Sequence, residues 1–285
     1  MIYDPRPCEL GEGALWHPER RQLFWFDILG KKLHTVGREG PQTWSFVELV
    51  SAAGWVTRDH LLIAGERDLF LFELESEEIE TLVELEPGNP RTRSNDGRAD
   101  RQGGFWIGTM GKRGGDDPGA GSIYRWYRGE LRKLFGGLTI PNSICFAPDG
   151  RTAYFADTVM QKINRVALDA DGWPSGDPEL FVDLAAEGLF PDGATVDAAG
   201  NLWSAQWGAG RVACYSPAGE FLRAVLVDAP QTSCPAFGGP DFTTLFVTTA
   251  REHMDAAALV RAPLSGQTFA LPDIAAGLPE PRVIL

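Results

Sequence analysis

Glu12, Asn95, Asn142 and Asp192 are the residues whose types and placement point to chemistry. They sit in the short motifs LGEGALW, RSNDGRAD, IPNSICFAPDG and FPDGATVDAAGNLW, each about ten positions ahead of a run of aromatic or β-branched residues, where a propeller blade keeps its inner strand. Two further copies of the pattern carry alanine there, near Ala53 in VSAAGWV and at Ala236 in CPAFGGPD. If the copies converge on one axis, two carboxylates and two carboxamides form an oxygen-lined site. Such a site suits a hard or borderline divalent cation.

The elements that must bring them together are a repeat. WHPERRQLFWFD (16–27), VTRDHLLIAG (56–65), ADRQGGFWIG (99–108), FAPDGRTAYFAD (146–157), VDAAGNLWSAQ (196–206) and FGGPDFTTLFVTT (237–249) each pair a polar turn with an apolar strand. A second alternating strand follows every copy: KKLHTVG, DLFLFEL, SIYRWY, KINRVAL, RVACYSP and ALVRAPL. The copies recur at roughly 40 to 50 residues, the length of a four-stranded propeller blade, and no helical period of 3.6 residues is sustained. A β-sandwich needs no repeat of fixed length. The pattern predicts an all-β fold, a six-bladed β-propeller occupying residues 1–285 as one domain, with a metal site on its central axis.

Composition narrows the partners. The chain has 285 residues, 44% of them hydrophobic, enough for a large core. Its net charge of -13 disfavours nucleic acid, which demands clustered Lys and Arg, and otherwise reads as a solubility feature. MIYDPRPCELGEGALW lacks a basic segment followed by an apolar run, and no stretch is long enough to span a bilayer. A cytoplasmic protein without membrane partners is expected; oligomeric state is left open. Cys8, Cys145, Cys214 and Cys234 fall in different repeats with no CxxC spacing, so buried free thiols are expected rather than disulfides or a thiolate zinc site.

Closure of a propeller needs a strand donated from one terminus to the blade of the other, and apolar Arg282–Leu285 is read as a further strand serving that end. KRGGDDPGAG (112–121) is either a loop folded over one mouth of the channel or an ordinary mobile surface loop. The stretch 173–193, with a turn of helix at DLAAEG, delivers Asp192.

The four motifs, in this order and at these separations, resemble the SMP-30/gluconolactonase family, also called regucalcin-like, over about Leu10 to Ala262, and CPAFGGPDFTTLFVTTAR resembles the closing blade of its bacterial sugar lactonases. The resemblance implies one divalent metal on the axis held by Glu12, Asn142 and Asp192, with Asn95 and Arg93 on the substrate side. Calcium, magnesium, manganese, ferrous iron and zinc all remain possible metals, zinc being less favoured by the oxygen ligands. This chain departs from the pattern at Ala14 for proline, Ser143 for glycine, and Lys112-Arg113 where animal members carry a glutamate. The first two are expected to be tolerated, while the third bears on sugar selectivity.

The expected activity is hydrolysis of a sugar-derived lactone to its aldonic acid. The metal would polarise the carbonyl, Asp192 would serve as general base, and Arg93, Asn95 and a Trp207 platform would hold the sugar. No G-x-S-x-G elbow is present, and His17, His34, His60 and His253 are placed in turns or at strand edges rather than at inner-strand positions, against a Ser-His-Asp triad. Each residue has a plainer use: Asp149 and Asp192 both occur in the turn signal PDG, Asn95 could satisfy backbone groups, Asp96 could brace a turn, and tryptophans pack blades. Asp149 is read as that turn former. A metal-dependent phosphotriesterase or esterase, and a calcium-binding regulatory propeller without substrate, are the alternatives.

Overall fold

A computed structural model describes residues 1–285, and its strands form six four-stranded antiparallel blades. The inner strands are Gly11–His17, Val50–Trp55, Thr92–Ala99, Pro141–Phe146, Phe190–Val196 and Thr232–Gly238. Each packs against the inner strand of the next blade, and the sixth packs against the first, so the ring closes as the repeat predicts.

The repeat has a physical basis in its turns. Asp197 Oδ1 accepts from the N–H groups of Ala199 (3.0 Å) and Asn201 (2.9 Å), and its Oδ2 accepts from Trp203 Nε1 at 2.9 Å. Asp100 does the same for Gln102, Gly104 and Trp106 at 3.0, 2.8 and 3.2 Å. One carboxylate therefore satisfies a hairpin turn and anchors the indole that begins the interblade core. Apolar side chains of adjacent blades interdigitate there; Phe24 and Phe26 of blade 1, for example, share a cluster with Val50, Ile63 and Phe70 of blade 2. All four cysteines are buried and unpaired, as expected.

Two expectations are corrected. The closing strand comes from the N-terminus: Ile2–Asp4 is the outermost strand of blade 6, paired with Thr268–Leu271. Arg282–Leu285 is not a strand. Pro279 and Pro281 offer no N–H, and the segment crosses the base of the ring instead. There Val283 N donates to Trp55 O at 2.9 Å, Ile284 N donates to Gly103 O at 2.8 Å, and Glu280 pairs with buried Arg98. Second, ALVRAPL is not the next strand of blade 6. Ala256–Arg261 is an α-helix, capped by Asp255, whose side chain accepts from Ala258 N at 2.7 Å; an alanine run with a good N-cap favours helix over strand. The turn of helix at DLAAEG is present as a 3-10 turn, Ala185–Glu187.

Candidate active site

Every inner strand carries a register break against its neighbour at the same point: between Glu12 and Leu15, Val50 and Ala52, Ser94 and Gly97, Asn142 and Cys145, Pro191 and Ala194, and Thr232 and Pro235. A bulge bends the strand and re-aims one side chain. Four of the six bulges thus turn Glu12, Asn95, Asn142 and Asp192 toward the axis. The register also corrects the two alanine positions: the residues at the bulges are Ser51 and Ser233, not Ala53 and Ala236. Ser51 Oγ donates to Ser94 Oγ at 2.8 Å, and Ser233 Oγ donates to Gly11 O, so both knit blades together.

The four polar residues line a cavity of about 550 Å³ at one end of the axis, together with Arg93 and Trp207. Every residue that the sequence nominates for the site is therefore in one place. Glu12, Arg93, Asn95, Asn142 and Asp192 are buried, and Trp207 is half-buried at the end of its strand. Asn95 is tightly bound: its Nδ2 donates to Asn142 Oδ1 and to Pro141 O, both at 3.1 Å, while its Oδ1 accepts from Arg93 Nη1 at 3.0 Å. Asn142 Nδ2 donates to Thr158 Oγ1 at 2.8 Å, and that hydroxyl donates to Pro191 O at 2.7 Å. Both ends of the Asn142 amide are thereby fixed. Asp96 braces the next blade rather than its own turn, its Oδ2 accepting from Ile144 N at 2.7 Å.

Burial, and then repulsion from neighbouring carboxylates, raise the acids. Glu12 is pushed up to about 8 by desolvation and by Asp96. Asp192 lies well above its ordinary value through desolvation and then Glu12. Arg93 is lowered by desolvation, although Glu252 and Glu12 favour its charge. Arg93 offsets the repulsion between the two buried carboxylates only in part, and Asn142 Oδ1 supplies a neutral oxygen in the same cavity. The donors fit a divalent metal with oxygen ligands. No group of three His, Cys, Asp or Glu is placed to bind one, so the ligand set depends on the carboxamide.

Several lining residues escaped the sequence reading: Thr158, Glu252 and His253, with Met110 and Phe190 among the apolar walls. Thr158 and the Glu252–His253 pair lie in connections between strands, where no periodicity marks them. His253 is in a turn, as expected, yet reaches the mouth. His17, by contrast, does end an inner strand, contrary to expectation, but points away from the axis with Nε2 3.0 Å from Thr57 O. Of the departures from the family pattern, Ala14 is buried in the interblade core. Ser143 takes a left-handed backbone (φ 55°), the region natural to the family's glycine, and its hydroxyl donates to Asp192 O. Lys112 and Arg113 line the mouth, but Lys112 pairs with Glu66 at 2.5 Å, and Arg113 donates through Nε to Asp117 Oδ1 at 3.0 Å.

The chain is 42% identical over 270 residues to a provisionally named sugar lactone lactonase of Rhizobium meliloti (strain 1021), spanning 92% of this chain and 90% of the relative. It is 34% identical to the 6-deoxy-6-sulfogluconolactonase of Pseudomonas putida, spanning 97% and 95%. The crystal structure of a calcium-binding protein, regucalcin, from Agrobacterium tumefaciens superposes with a TM-score of 0.97 at 40% identity, covering 100% of this chain and 97% of that one. The model of the SMP-30/Gluconolactonase/LRE-like region matches residues 10–251, and the chain belongs to that family.

Proposed function

We propose that this protein is a metal-dependent lactonase that hydrolyses a sugar-derived lactone to the aldonic acid. The observation that carries the reading is the convergence of Glu12, Asn142 and Asp192 beside Arg93 in one end-open chamber, with relatives named for lactone hydrolysis in support. Glu12, Asn142 and Asp192 would hold the cation, which supplies Lewis-acid polarisation of the lactone carbonyl and countercharge to the buried acids.

The chain's own residues do the rest. Asp192 is the general base: one carboxylate oxygen takes a proton from water as the water oxygen bonds to the carbonyl carbon, and that proton passes to the ring oxygen as the C–O bond breaks. Arg93 uses only Nη1 for its bonds to Ser94 O and Asn95 Oδ1, which leaves Nε and Nη2 to donate to sugar oxygens. Asn95 holds Arg93 and Asn142 in mutual register. Trp207 offers a half-buried ring face to the sugar.

The test is acid release from a panel of five- and six-membered aldonolactones by chelator-treated protein, with each metal restored separately and a phosphotriester as comparison. Metal-restored turnover of an aldonolactone supports the reading. Turnover confined to the phosphotriester, or calcium binding with no turnover at all, replaces it.

A further inference from the structure

Glu252 is the one acid of the chamber that neither the repeat nor the ligand set accounts for. Its backbone is fixed: Glu252 N donates to Glu9 O at 2.9 Å, Gln231 Nε2 donates to Glu252 O at 2.9 Å, and the neighbouring Arg251 is anchored through Nε to Ser265 O at 2.9 Å. Its side chain, 24% exposed, lines the cavity and accepts no hydrogen bond from the chain; the exposed ring of His253 lies 3.8 Å away. Across from it stands Arg93, 6% exposed, with Nε and Nη2 unpartnered and open to the same space. An acceptor and a donor on rigid supports, both without a partner from the chain and both lining one chamber, suit a ligand carrying hydroxyls.

The charges at the mouth narrow that ligand further. Lys112 and Arg113 are already committed to Glu66 and Asp117, so neither is free for an anionic substituent. Glu252 adds a negative charge at the entrance that favours the charge of Arg93 without hydrogen-bonding to it. An acid group placed on the Glu252 side of the chamber would meet repulsion there, with Lys112 and Arg113 engaged elsewhere.

Resting on the lactonase reading, we propose that Glu252 determines substrate choice: its carboxylate accepts hydrogen bonds from sugar hydroxyls opposite Arg93, selecting an uncharged polyhydroxylated lactone and rejecting one that bears a second acid group. A carboxylate–hydroxyl bond lost from such a site changes discrimination by about 10- to 100-fold.

The experiment compares wild type, Glu252→Gln and Glu252→Ala, metal-loaded, on gluconolactone, hydroxyl-free δ-valerolactone and the acidic glucarolactone. The proposal expects the kcat/KM ratio of gluconolactone to δ-valerolactone to fall about 10- to 100-fold in Glu252→Ala, with partial recovery in Glu252→Gln, which keeps an acceptor. Relative use of glucarolactone should rise in both. Equal losses on all three substrates, or no change in the ratios, overturn it. Titration with 1,5-anhydroglucitol, a neutral polyol ring without a lactone, separates the two claims. Binding weakened in Glu252→Ala upholds the role of Glu252 even if no lactone is turned over, and unweakened binding overturns that role.

Discussion

Asn95 Nδ2 donates to Asn142 Oδ1 at 3.1 Å, joining the inner strands of blades 3 and 4 at the point where both bulge toward the axis. With Thr158 on its nitrogen, Asn142 has a single amide orientation, and the oxygen that a cation would use is already aimed. Partners that orient ligands in this way contribute about 10- to 100-fold in metal affinity.

Thr158→Val retains the volume and removes the hydroxyl that holds Asn142 Nδ2. Metal affinity measured by calorimetry should fall at least about 10-fold, while turnover at saturating metal recovers most of its wild-type value. Unchanged affinity would show that the amide needs no outer support.

The buried acid pair makes stability depend on pH. Because Glu12 is raised to about 8 and Asp192 is raised with it, the metal-free folded protein holds protons that the unfolded chain has released. Their contribution is therefore present at low pH and lost as pH rises from the ordinary carboxylate range through about 8. Thermal melts of chelated protein should show Tm falling across that window, and the fall should be smaller in Glu12→Gln and in metal-loaded protein. A metal-free Tm that rises steadily to pH 8 contradicts the assignment.

Arg98 and Glu280 form a buried pair beneath the chamber, with Arg98 Nη2 also donating to Pro235 O at 3.2 Å. Glu280→Ala strands the guanidinium and should cost about 3–5 kcal/mol in denaturant unfolding, whereas the double change Arg98→Met/Glu280→Leu should recover much of it. A loss below about 1 kcal/mol would mean that the C-terminal segment does not hold the base of the ring.

Much of this was legible in the sequence because the same physical device recurs. The Asp–turn–Gly–Trp hairpins built around Asp100 and Asp197 repeat at blade length, and the bulge residues repeat with them, so Glu12, Asn142 and Asp192 could be placed together without knowledge of the twist. Single-use features left no such trace. The N-terminal closing strand Ile2–Asp4 is three residues long, and the C-terminal tail, whose prolines act through missing donors rather than through hydropathy, is the more apolar of the two ends. Ala53 and Ala236 stand two and three residues beyond Ser51 and Ser233, because the apolar pattern of an inner strand does not mark where its bulge falls. Thr158, Glu252 and His253 belong to connections, which carry no period.

Ser143 keeps a left-handed backbone while its hydroxyl supports the carbonyl of Asp192. Ser143→Ala retains the strain and loses the hydrogen bond, so it should be less stable by about 1–2 kcal/mol; Ser143→Gly relieves the strain and should lie within about 1 kcal/mol of wild type. Urea midpoints check the order, and an alanine variant as stable as wild type would contradict it.

The account turns on Asp192 as both ligand and base. The most direct measurement is the rate of lactone opening, above the spontaneous rate, for wild type and Asp192→Asn at metal concentrations shown by calorimetry to saturate each. Loss of about 10²- to 10⁴-fold in kcat by the variant, with wild-type turnover abolished by chelation and restored by metal, is the predicted result. A metal-saturated Asp192→Asn protein that opens the lactone within about tenfold of wild type, or a wild type indifferent to chelation, would contradict it.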